Sequence, residues 1–129
     1  MKIQPVNNNC SVSSFKARLP KTEVNSLIQE AKTIPSGLPK LYTLLKFLDK
    51  IPTSYLNFTK TKSNDYFLVD KSNILGIAKN KFDALKYACV GSNTHFGPFS
   101  YMAESVYEKQ WQNNLDKTEE DIFNLSLNV

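Results

Sequence analysis

The chain is poor in the residues on which most recognisable chemistry is built. Its 129 residues include one histidine, two cysteines, four glycines and one tryptophan. A structural zinc site takes about four ligands at workable spacing. Here His95 stands with two isolated cysteines, Cys10 and Cys89, and no C-x-x-C pair, so no metal site is expected. Four glycines (Gly37, Gly76, Gly91, Gly97) leave a phosphate-cradling loop nowhere to sit. The patterns G-x-x-x-x-G-K-[ST], G-x-G-x-x-G and G-x-S-x-G are all missing, and no cofactor is expected. Residues 70–76, DKSNILG, lack the alternating oxygen ligands and terminal glutamate of an EF-hand loop.

Other absences bound class and location. Cysteines 79 positions apart do not make a small secreted disulfide framework. The opening MKIQPVNNNCSV has no apolar signal core. The longest apolar runs fall far short of the roughly 18 residues of a membrane span. Free thiols in a cytoplasmic protein away from membranes are expected. No block of five like charges occurs, although charge is uneven. Residues 1–64 carry ten Lys/Arg against three Asp/Glu, and residues 65–129 carry six against nine, within a net charge of +4. A basic half could attract nucleic acid or an acidic protein surface, whereas lysines spread along helices make only a solvated face.

What is present is ample core material. Apolar residues make up 41% of the chain and charged residues 22%, close to globular averages, and there are fourteen Phe and Tyr. The length suits one domain, 20–129, preceded by a flexible or extended segment, 1–19. In that segment Phe15, Ala17 and Leu19 alternate with Lys16 and Arg18, as a short strand clipped to the body would, with Phe15 as the anchor.

The periodicity predicts α-α-β-β-(β)-α-α-α, an α+β fold of helices on a small antiparallel sheet of two or three strands. Val24, Leu27, Ile28 and Ala31 share a face of a first helix with Thr22 as N-cap, and Gly37 permits the turn that follows. Residues 38–51, apolar on most sides, predict a central second helix ended by Pro52. Strands are predicted at 54–61, 65–70 and 73–78, with the second central because both its faces are apolar. Asn80 with Asp83 starts a helix that Gly91 stops, leaving Cys89 on its core face. A helix over 100–114 aligns Ala103, Tyr107, Trp111 and Leu115. Thr118 caps a last helix with Ile122, Leu125 and Val129 inward.

Few residue sets invite a catalytic reading. Cys89 and His95 could form a thiol–imidazole pair, but a cysteine in the last turn of a helix sits at its negative end, which disfavours the thiolate. Glu104 and Glu108, or Asp65 and Asp70, could act as carboxylate pairs, and read more simply as solvated helix charges and turn residues. No enzyme is expected.

Two binding readings remain. Phe96, Phe99 and Tyr101 cluster around Gly97-Pro98 in the loop after Gly91, and exposed they would make an aromatic hot spot for a protein partner. Tyr55, Phe58, Tyr66, Lys60 and Lys62 loosely fit a platform for stacking single-stranded bases. The expectation is a small non-enzymatic protein binding a protein partner, of adaptor or inhibitor type. Nucleic-acid binding through the basic half and the strand aromatics is the alternative.

Overall fold

The computed structural model describes residues 17–51, 56–90 and 102–127. They form an α+β fold in the order α-α-β-β-β-α-α-α, so the third strand is present. Phe15, Tyr55, Gly91, His95, Phe96, Phe99, Tyr101 and Val129, singled out above, lie outside the described residues.

The chain enters along a seam. Ala17 and Leu19 are fully buried and Arg18 between them is not, which matches the alternation in the sequence. The Ala17 N–H donates to the Ile51 carbonyl at 2.8 Å, and the Leu19 carbonyl accepts from the Leu127 N–H at 2.8 Å. Arg18 forks onto Asp49, Nε to Oδ1 at 2.9 Å and Nη2 to Oδ2 at 3.2 Å. That bidentate geometry is the strong form of the arginine–carboxylate pair.

Helix α1 spans Lys21–Ala31 and buries Val24, Leu27, Ile28 and Ala31. Its N-cap is Pro20, with no side-chain cap, so Thr22 stands inside the first turn and is not the cap its residue type suggested. The reason is long-range: Pro20 bridges Leu127, which fixes where the helix leaves the seam. Helix α2, Gly37–Leu48, follows a tight turn. The left-handed residue of that turn is Ser36, at φ 54°, and not Gly37. Glycine is needed at 37 because a Cβ there would overlap the Ala31 carbonyl.

Helix α2 is the hub. Leu41, Leu44 and Leu48 are fully buried, and α2 touches α1, α3 (Lys81–Cys89), α4 (Glu104–Gln112) and α5 (Glu119–Phe123). Thr43, also buried, donates to the Pro39 carbonyl at 2.8 Å and accepts from Asn114 Nδ2 at 2.9 Å. Its hydroxyl is thereby satisfied in an apolar setting.

Strands β1 (Leu56–Lys60), β2 (Tyr66–Asp70) and β3 (Asn73–Ala78) form an antiparallel meander with β2 central. Leu56, Phe58, Leu68 and Leu75 are buried on the side packed by α3, while Asn57 and Thr59 point away. A bulge opposite Leu68 and Val69 puts Leu75 and Gly76 in succession into the buried layer. Gly76 lies so close to α3 that a Cβ would overlap the Ala84 carbonyl and come within 3.0 Å of the Ala88 nitrogen.

Helix α3 begins as predicted, with Asn80 Oδ1 accepting from the Asp83 N–H at 2.7 Å. Helix α4 is shorter than the predicted 100–114. Met102 is tied to α3 first: it bridges Val90, and its N–H donates to the Cys89 carbonyl at 2.8 Å. The helix ends at Gln112, which takes Leu115 out of phase with Tyr107; Leu115 is 61% exposed and Tyr107 2%. Helix α5 carries a full capping box between Thr118 and Asp121 and buries Ile122.

Candidate functional site

The sequence-predicted binding residues do not assemble into one site among the described residues. Lys60 holds its ammonium 5.6 Å from the Tyr66 ring centroid, and Lys62 is exposed in the turn between β1 and β2. Phe58, the expected partner of Tyr66 in a stacking platform, is 8% exposed on the helix-covered side. Lys81 lies over both rings, 5.8 Å from Phe58 and 5.6 Å from Tyr66, with its ammonium 2.6 Å from Glu23. These aromatics are therefore lidded by lysine.

The catalytic readings fare no better. Cys89 is fully buried, with its sulfur 3.8 Å from the Leu44 carbonyl, and burial pushes its thiol pKa far up. A thiol held protonated is no nucleophile at neutral pH. Asp65 is held below the usual carboxylate range, chiefly by its hydrogen bond with Lys79 at 2.7 Å, as a turn residue with a partner would be. Among the described residues no group of three or more His, Cys, Asp or Glu could hold a metal ion. No described helix is long and apolar enough to cross a membrane.

A different place gathers functional groups. A groove of about 550 Å³ opens between α1, the start of α2, α3 and α4. Its α4 wall is Glu104, Tyr107, Glu108 and Trp111, spaced i, i+3, i+4, i+7 and so on one helical face. Phe82 and Ile34 complete an apolar and aromatic floor. Trp111, the only tryptophan, is half-buried there.

The remaining walls are charged. Glu30 of α1 reaches the amino end of α3, where its carboxylate accepts from the Phe82 N–H at 2.8 Å and the Lys81 N–H at 3.4 Å. Two donors that a helix start leaves orphaned are thus met from a neighbouring helix. Asp83 accepts from Asn80 Nδ2 at 3.2 Å. Lys86 stands 3.9 Å from Glu104 and 5.5 Å from the Tyr107 ring centroid. Lys40 stands 5.0 Å from the Trp111 centroid. Glu108 has no hydrogen bond or ion pair among the described residues. The Tyr107 hydroxyl has its pKa raised, first by burial and then by the charge of Glu104, so it stays a neutral donor.

The groove thus sets four carboxylates against two lysines in a chain whose net charge is +4. It combines flat aromatic surface with acceptors along one rim, the equipment for holding a cationic side chain. Sequence reasoning named Glu104 and Glu108 as a carboxylate pair or solvated helix charges, and aligned Tyr107 and Trp111 with Ala103 and Leu115 on one helix face. The helical spacing joining all four was legible; the contributions of Glu30, Lys40 and Asp83 depend on how the helices pack. Comparison with protein-family models, curated proteins and solved structures finds nothing that matches this chain.

Proposed function

We propose that this chain is a non-enzymatic binding protein of adaptor or inhibitor type, acting in the cytoplasm, whose groove between α1, α3 and α4 takes a positively charged segment of a protein partner. The observation that carries the reading is the α4 face. Trp111 supplies ring surface beside the buried Tyr107, while Glu104 and Glu108, two exposed carboxylates, flank them within the same groove. Aromatic anchors inside a polar rim are what concentrates binding energy at protein interfaces. Charge complementarity selects the partner: the whole molecule repels cations, and this groove attracts them. Nucleic acid on the strand aromatics has less support, because Phe58 belongs to the core and Tyr66 carries lysine on its ring.

The test is a titration of fluorescently labelled hexa-arginine read by anisotropy, with single-stranded oligothymidylate as comparison. Saturable binding of the peptide is expected, weakened at least about tenfold by Glu104→Lys with Glu108→Lys, a contact loss of the size seen when charge is reversed at an interface. Asp116→Lys with Glu120→Lys, which changes net charge equally outside the groove, should leave binding within about twofold of wild type. Binding of oligothymidylate alone, or equal loss in both double variants, overturns the proposal.

A further inference from the structure

The groove's two aromatic rings are not bare. Lys40, from α2, places its ammonium 5.0 Å from the Trp111 centroid, and Lys86, from α3, places its own 5.5 Å from the Tyr107 centroid. They differ in how firmly they are held. Lys86 also has Glu104 at 3.9 Å, whereas Lys40 has no carboxylate partner among the described residues. A lysine on a ring near solvent is held weakly, and its flexible stem regains freedom on leaving. Beside it, Glu108 lies one turn before Trp111 on the same face of α4, with both lining the groove and the carboxylate unpaired. Trp111 therefore borders a cation that is easily displaced and an acceptor that Lys40 does not use.

We infer, building on the proposed groove, that Lys40 is an internal stand-in for an arginine of the partner, which replaces it on the Trp111 ring and pairs with Glu108. Arginine fits this pair of groups better than lysine does. Its guanidinium is flat, so it stacks on an indole while its edge donates two parallel hydrogen bonds to a carboxylate. An ammonium is a compact, strongly hydrated charge and cannot do both equally well. Lys40 would then set affinity by competition: any guest must first unseat it.

Removing the Lys40 charge favours a cationic guest by electrostatics alone, so the test compares two neutral variants. Lys40→Met keeps a stem of similar length on the ring, and Lys40→Ala clears the ring; both residues are good helix formers. Hexa-arginine and hexalysine are titrated against wild type, both variants and Glu108→Gln, with anisotropy for affinity and Trp111 emission to locate binding. Hexa-arginine should bind more tightly than hexalysine. Lys40→Ala should tighten it by about two- to fivefold more than Lys40→Met does, within the span of the thioether–ring contact that Met still makes. Glu108→Gln should narrow the preference for arginine. Equal gains from Lys40→Ala and Lys40→Met, or equal binding of the two peptides, overturn the stand-in while leaving the cationic groove intact. Binding of neither peptide removes the groove reading and this inference with it.

Discussion

Glu30 holds the amino end of a helix to which it does not belong. The carboxylate meets the first two N–H groups of α3, while Asn80 meets the third through Asp83. Replacing a side-chain cap by alanine costs about 0.5–2 kcal/mol, and the charge on Glu30 places it toward the upper end. Glu30→Ala is expected to lower stability by about 1–2 kcal/mol, read as a shift of the urea midpoint without a change in slope. A second residue-scale effect is acid sensitivity at α5. Asp121 is held below its ordinary value of 3.8, chiefly by the hydrogen bond from the Thr118 backbone. A folded-state pKa below the unfolded one means that the unfolded chain binds more protons in that window. The stabilisation is thus present above 3.8 and lost as pH falls through the lowered value. In thermal melts, Asp121→Asn should show a smaller loss of stability than wild type below that pH. An identical acid profile would remove Asp121 from the account.

Where sequence reading succeeded and failed at the element scale follows the range of the interactions. The start of α3 was legible because Asn80 and Asp83 are three residues apart, and the Thr118–Asp121 box at α5 for the same reason. The central place of β2 followed from Phe67, Leu68 and Val69 being apolar on both faces. The start of α1 was misplaced because it depends on Leu127, more than a hundred residues away. The end of the α4 stripe was misplaced because the helix stops at Gln112 before Leu115 can continue it. Local signals cannot report such constraints, nor that α1, α2 and α3 bring Glu30, Lys40 and Asp83 opposite the α4 face. The contact between α3 and the sheet gives the sharpest prediction at this scale. Gly76→Ala forces α3 off β3, because the obstructing atoms are backbone and cannot turn aside. A loss of about 1–3 kcal/mol is expected from such overpacking, measured by denaturant unfolding. A neutral outcome would contradict the close approach.

At the scale of the molecule, a chain of net charge +4 carries an acidic, aromatic-floored groove among its described residues. Helix α2 anchors both core and groove: it buries its leucines and touches the four other helices, and Lys40 on its first turns reaches Trp111 at the groove. The groove and the core are therefore built on different faces of the same elements. Tyr107 is the exception, lining the groove while only 2% exposed. Among the described residues, the sheet face opposite α3, with Ile77 39% exposed, is another apolar surface a partner could cover. Backbone amide and indole NMR shifts recorded during hexa-arginine addition separate the two surfaces in one experiment. Saturating shifts are expected at the Trp111 indole N–H and at the amides of Lys86, Glu104 and Glu108, with the sheet unmoved. Shifts confined to Phe67, Val69 and Ile77, or none that saturate, would contradict binding in the groove.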